Sequence, residues 1–231
     1  MYSINLNKEI ATWLVRHGTD FVRFVDVSDL PLKQNRGYAY AILFGVVSTP
    51  GYIRYVAANP DYVQQAVADG SIENDEHYVQ EMDMYRISDQ LSDYLKENGY
   101  GAYALSDDNQ IADNAFDEES IRTYLPLKTI AVKAGMGWIG KNVLLITPER
   151  GCGQHIGAVL TDSTVTAVNP PVIQPRCGNC HKCIDVCNPK VLKGTSWSLS
   201  TDRDDMLDVR KCTTCLQCFV HCPWTQKYMK M

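Results

Sequence analysis

Cys177-Gly-Asn-Cys180-His-Lys-Cys183-Ile-Asp-Val-Cys187-Asn-Pro189 is followed, after a spacer, by Cys212-Thr-Thr-Cys215-Leu-Gln-Cys218-Phe-Val-His-Cys222-Pro223. Eight of the nine cysteines thus fall in two copies of one spacing, Cys-x2-Cys-x2-Cys-x3-Cys, the run that bacterial ferredoxins use for a 4Fe-4S cube. Three thiolates two residues apart on a tight loop can reach three irons of one cube. The fourth iron lies beyond that loop, so a remote cysteine must close it. In two-cluster ferredoxins the fourth cysteine of each run serves the other cluster. This predicts one quartet of Cys177, Cys180, Cys183 and Cys222, and a second of Cys212, Cys215, Cys218 and Cys187. Pro189 and Pro223 end the ligand loops, and Gly194 to Asp208 supplies the connection. Asn188 stands where the pattern usually has the proline itself.

Zinc also uses Cys-x2-Cys pairs, but a third cysteine at another x2 step is surplus to a tetrahedral site. A disulfide framework fits less well, because such close spacings hold sulfurs for a metal and no secretory signal is recognised near Met1. His181 and His221 lie inside the runs and read as loop residues that tune the clusters.

The cluster module needs only the last quarter of the 231 residues, and the chain is 45% hydrophobic, enough for a larger domain with its own core. The expected division is 1–170 and 171–231. Net charge is -5 with no run of lysines or arginines, which argues against duplex or tRNA binding. No apolar stretch approaches the roughly 18 residues of a membrane span, and a cytoplasmic protein is expected.

Along the chain, Leu6, Ile10, Trp13, Leu14 and His17 share a helical face closed by Gly18. Phe21 to Val27 reads as a strand, Lys33 to Gly37 as a polar loop, and Tyr38 to Val47 as a buried central strand ending at Thr49-Pro50-Gly51. Asn59-Pro60 is expected to open a helix closed by Gly70. Asn74 or Asp75 caps the next helix, whose stripe of Met84, Ile87, Leu91 and Tyr94 is core; His77 at its start reads as solvated. Tyr100 to Leu105 is a short strand, and the acidic stretch Ser106 to Glu119 a solvated loop or a lid.

A second informative stretch runs from Leu125 to Thr147. A helix breaks at Ala134-Gly-Met-Gly-Trp-Ile-Gly-Lys-Asn142 and leads into a strand. Its glycines let a backbone approach something flat or bulky, with Trp138 and Lys141 able to face it, though a plain structural turn has the same composition. No Lys-Ser/Thr pair follows, so this is not a phosphate-binding P-loop.

This glycine-tryptophan motif, then Leu144-Leu-Ile-Thr-Pro-Glu149, Val159-Leu-Thr-Asp162 and two cubane runs ending Cys222-Pro-Trp-Thr-Gln-Lys-Tyr228, resembles the epoxyqueuosine reductase family over about residues 100 to 231. The resemblance implies an α+β fold: a nitroreductase-like, corrinoid-binding domain followed by a two-cluster bacterial ferredoxin-like domain. It also implies cobalamin reduced through the two clusters, an architecture shared with corrinoid reductive dehalogenases. Gly137, Trp138, Gly140, Lys141 and Asn142 would form the loop nearest that cofactor, with FMN as the rival ligand of such a fold. The family carries an acidic proton donor where this chain has Ile121, and continues into a tRNA-gripping helical-repeat domain where this sequence ends at Met231. A small-molecule substrate, or the corrinoid of a partner protein, is therefore expected in place of tRNA, with ferredoxin or flavodoxin as electron donor. Tyr124, Lys141 and the acids between Asp107 and Glu119 are the candidate proton donors. Cys152, between two glycines, reads as a reactive thiol, a lower cobalt ligand or an inert small residue, and His155 shares the ambiguity. The competing reading is an electron carrier with no substrate of its own.

Overall fold

Residues 6–230 are described here from a computed structural model, so the outer ends of both expected domains, Met1 and Met231, lie outside it. In chain order the first elements are α1 (Leu6–Arg16), β1 (Phe21–Asp26), α2 (Leu32–Asn35), β2 (Tyr40–Val47), α3 (Pro50–Ala58), α4 (Tyr62–Asp69) and α5 (Glu76–Glu97). Then come β3 (Ala102–Ala104), α6 (Asp107–Ala112), β4 (Phe116–Asp117), β5 (Arg122–Thr123), α7 (Leu127–Lys133), β6 (Trp138–Ile139), β7 (Leu145–Ile146) and β8 (Gln154–Thr161). The cysteine-rich end carries α8 (Lys182–Asp185), α9 (Gln217–Val220) and α10 (Pro223–Tyr228). The chain forms two compact units, each assembled from separate stretches: residues 1–46, 80–134 and 155–171, and residues 47–79, 135–154 and 172–231. The last crossing between them, at Pro171–Val172, lies beside the expected 170/171 division. Two earlier stretches, 47–79 and 135–154, belong to the second unit as well.

In the first unit a four-stranded sheet runs β1-β2-β8-β3, with β1 antiparallel to β2 and β3 antiparallel to β8. The apolar run of β2 earns its interior place: Ala41, Ile42, Leu43 and Phe44 are wholly buried. Ile10 and Leu14 of α1 and Met84, Ile87, Leu91 and Leu95 of α5 close one core with Ile42, Phe44 and Val159. The helical stripes thus face where their spacing indicates. His17 stacks on Trp13, ring centroids 3.6 Å apart, and Gly18 ends α1 at φ +92°.

Two local expectations change in this unit. Lys33 to Gly37 contains the short α2 instead of a plain loop, because Asn35 is buried and its amide donates to the carbonyls of Val27 and Leu30. The acidic stretch from Ser106 is solvated at Asp107, Asp108 and Asp117 to Glu119 but is not a plain loop. Its α6 is anchored where Ser106 and Asn109 both donate to Asp89 of α5, at 2.8 Å each, and a β4–β5 hairpin follows. That anchor is far off in sequence, so local charge density concealed it.

In the second unit Thr49-Pro50-Gly51 does not merely end a strand; it starts α3. Thr49 Oγ1 accepts from the Tyr52 N–H at 3.1 Å, and Pro50 occupies the first helical position. Consequently Asn59-Pro60 lies between helices, and α4 begins at Tyr62. Asp75 caps α5, its carboxylate accepting from the N–H groups of His77 and Tyr78. His77 is not solvated: its ring lies 6.2 Å from that of Phe219, and burial pushes its pKa down. Tyr52, Ile53 and Val56 of α3 form this unit's core with Trp138, Ile146, Phe219 and Val220.

Candidate iron-sulfur centre

Each cysteine run folds as a loop followed by a single helical turn, α8 or α9, and the two turns pack together. The loops need unusual backbone: Gly178 has φ +49° in the first, while Thr214 and Leu216 have φ +51° and +60° in the second. Strain of this kind persists where surrounding structure holds it and concentrates at functional sites. Pro223 starts α10 at its first position, with Cys222 as the extended residue just before.

Cys177, Cys180, Cys183 and Cys222 line one cavity of about 190 Å³, together with Lys141, Asn142, Ile146, Arg176, Pro223 and Trp224. The thiol of Cys183 is pushed up to about 11 by burial and then by Cys222, Cys177 and Cys180. Cys218 is pushed up to about 12 by burial, then by Cys215, Cys212, Cys183 and Cys187. Cys183 thus feels three cysteines that line its cavity, and Cys218 feels cysteines of both runs, Cys183 among them. Among the described residues no three His, Cys, Asp or Glu side chains are set to hold a single metal ion. The first group of thiols lines a space, and four thiolates around a cavity are a donor set that a polynuclear cluster can use. Cys212 is exposed, whereas Cys187 and Cys222 are buried.

The glycine-rich stretch is a hairpin, Trp138 opposite Ile146 and Ile139 opposite Leu145. Its glycines have packing reasons: a Cβ on Gly137 would sit 1.9 Å from the Ile146 carbonyl oxygen, and one on Gly140 2.4 Å from Ile146 Cδ1. Trp138 is wholly buried, edge-on to Trp224 at 5.0 Å between centroids. Lys141 donates to the carbonyls of Gly178 at 2.8 Å and Cys180 at 3.2 Å, clamping the first cysteine loop. Asn142 donates to the carbonyl of Cys218 at 3.1 Å and to Cys152 Sγ at 3.4 Å. The hairpin thereby touches both runs.

Cys152 is the buried ninth cysteine. Its N–H donates to Thr225 Oγ1 at 3.0 Å, and its thiol donates to Cys222. That bond holds the Cys222 thiolate below the usual thiol range and raises Cys152. Sequence spacing could not find this contact, nor Arg176, which brings a second cation to the cavity and lies 5.8 Å from the Trp138 ring centre.

Tyr124 belongs to the first unit, its ring beneath Lys33 Nζ at 3.8 Å. The acids from Asp107 onward gain an unexpected neighbourhood on α5. Glu81 is pushed up by its crowded surroundings and by Asp107, and Tyr85 Oη lies 3.5 Å from it. Glu81 was hidden in a helix whose pattern otherwise reads as core. Ile121 sits at φ +52° in the β4–β5 turn, and His155 lies on β8.

No family model matches the chain. Over 133 residues, 58% of its length, it is 35% identical to an epoxyqueuosine reductase of Synechococcus sp. strain CC9605, covering 36% of that protein. A 115-residue match to an epoxyqueuosine reductase of Listeria monocytogenes is 31% identical, covering 42% of this chain and 29% of the other. Over these stretches the chain is similar to epoxyqueuosine reductases. The matched stretch spans about a third of the length of these relatives. Solved structures agree on the mixed helix-and-strand fold. The epoxyqueuosine reductase of Streptococcus thermophilus superposes with TM-score 0.58 at 15% identity, over 96% of this chain and 67% of that one. A catabolic reductive dehalogenase superposes with TM-score 0.63 at 16% identity, over 94% and 31%. Among the described residues, no helix is long and apolar enough to cross a membrane.

Proposed function

We propose that the chain is an iron-sulfur oxidoreductase of the epoxyqueuosine reductase type. It would pass electrons from two 4Fe-4S clusters to a bound corrinoid for reduction of a small-molecule substrate or a partner's corrinoid. The observation that carries this reading is the gathering of Cys177, Cys180, Cys183 and Cys222, and of Cys218 with Cys212, Cys215 and Cys187, into two neighbouring thiol groups. The donor set fits the clusters. Eight thiols are available, and Lys141 and Arg176 at the first cavity offset the negative charge that a thiolate-bound cluster brings.

On this reading residues 171–231 are the ferredoxin-like module and residues 1–170 the nitroreductase-like, corrinoid-binding part, whose loop from Gly137 to Asn142 lies in the same unit as the cysteine runs. When bound, a corrinoid supplies a cobalt that the clusters take to low oxidation state. Corrinoid binding is supported by the fold likeness, including a dehalogenase described as B12-dependent. The net charge of -5 disfavours tRNA as substrate.

The test is anaerobic reconstitution followed by addition of hydroxocobalamin or FMN and gel filtration. Retained cobalamin that is reduced through the clusters is the expected result. Retained FMN replaces cobalamin with flavin, and retention of neither leaves an electron carrier.

A second expectation concerns Cys152. A thiol donating to a ligand sulfur stabilises the more negative, reduced cluster, so Cys152→Ala should lower the midpoint potential of the first cluster. One net hydrogen bond of about 0.5–1.5 kcal/mol corresponds to a fall of roughly 20–60 mV for one electron. Redox titration followed by electron paramagnetic resonance (EPR) checks this; an unchanged or raised potential contradicts it.

A further inference from the structure

An open groove of about 580 Å³ lies in the second unit, lined by Lys182, Asp185, Val186, His221, Gln226, Lys227 and Lys230, with Pro223 at its edge. It belongs to no role assigned above, and two features set it apart. The first is its charge. Lys182, Lys227 and Lys230 are exposed and, among the described residues, have no carboxylate partner; the one carboxylate among the described lining residues, Asp185, is engaged by His181 at 2.8 Å. A local excess of cations thus stands out on a chain whose net charge is -5. The second is its position. Lys182 precedes Cys183, Val186 precedes Cys187, and His221 precedes Cys222. Lining residues of the groove are thus sequence neighbours of the expected ligands of both quartets.

We propose that this groove is the docking surface for a small acidic redox protein that carries a low-potential one-electron centre near its own surface. The proposal rests on the iron-sulfur reading above. Complementary charge steers such a partner to one face and speeds encounter without requiring a large interface. Weak redox encounters of this kind bury little area, and an open, polar, lysine-rimmed groove suits them. On docking, one electron leaves the donor, which is oxidised, and enters the thiolate-held cluster, which is reduced; no bond forms or breaks and no proton moves.

The test uses the anaerobically reconstituted full chain and its Lys182→Glu/Lys227→Glu/Lys230→Glu variant, with iron and sulfide measured in both. Reduction is followed by stopped flow, first with a reduced, acidic plant-type 2Fe-2S ferredoxin and then with reduced methyl viologen, a small cation that needs no basic groove. At low ionic strength the ferredoxin rate is expected to fall at least about tenfold in the variant, and the difference to fade with salt. The methyl viologen rate should not fall. A Lys→Arg version at the three positions should keep the ferredoxin rate.

Unchanged ferredoxin kinetics in a cluster-loaded triple variant would overturn the docking proposal alone, as would an equal fall with methyl viologen. Competition by an RNA oligonucleotide for the groove, with no salt-sensitive effect of the ferredoxin, would assign it to a phosphate backbone and likewise overturn the proposal. A wild-type chain that takes up no iron and sulfide would instead remove the underlying reading, and the docking site with it.

Discussion

Replacing Cys222 with alanine is expected to abolish one cluster and leave the other, so that iron and sulfide fall from about eight to about four of each per chain. Cys222 lines the cavity with Cys177, Cys180 and Cys183, although it belongs in sequence to the other run. The surviving cluster should be the one near Cys218, whose neighbours Cys215, Cys212 and Cys187 are untouched. Cys187→Ala should do the reverse, and the double variant should hold neither. The two single variants are then distinguishable by EPR, because one retains the more exposed centre at Cys212 and the other the centre beside Lys141. Loss of the second cluster alone in Cys222→Ala would show that each run serves its own cube.

The second large effect is expected at Gly137. An alanine there would place its Cβ 1.9 Å from the Ile146 carbonyl oxygen and 2.8 Å from the Ile146 carbonyl carbon. Both obstacles are backbone, so no side chain can swing aside and the β6–β7 hairpin must part. That disturbs Trp138 at the centre of the second unit, where it meets Trp224 and packs near the cysteine loops. Overpacking against a fixed backbone costs about 3 kcal/mol. In a chain of this size that lowers the melting temperature by roughly 6–12 °C. Thermal unfolding of the reconstituted protein measures it. Full stability combined with loss of a bound cofactor would contradict the packing argument and favour Gly137 as a cofactor-contacting position.

The most legible part of this molecule was the part with the strongest periodic or spacing signal. The Cys-x2-Cys-x2-Cys-x3-Cys runs pointed to a shared cysteine site, and Cys222 of the second run does line a cavity with Cys177, Cys180 and Cys183 of the first. The stripe of Met84, Ile87 and Leu91 and the apolar run of β2 foretold buried faces, because a regular element must turn its apolar side inward. The start of α3 was also written locally, in Thr49-Pro50, but the same residues equally end a strand; what decides is Thr49 Oγ1 accepting from Tyr52. Other features depended on partners far along the chain. Asp89 anchors α6, Phe219 covers His77, and Ile146 dictates the glycine at 137. The placement of Lys141 and Asn142 on the cysteine loops belongs with these, as does the contact of Cys152 with Cys222. None of these contacts has a sequence period.

Iron and acid-labile sulfide determination on the anaerobically reconstituted wild-type chain, with EPR of the reduced protein, tests the central claim most directly. Two cubes held by crossed cysteine quartets predict about eight irons and about eight sulfides per chain and two interacting paramagnetic centres. About two zinc ions per chain without sulfide, or iron sufficient for a single cube, would contradict it.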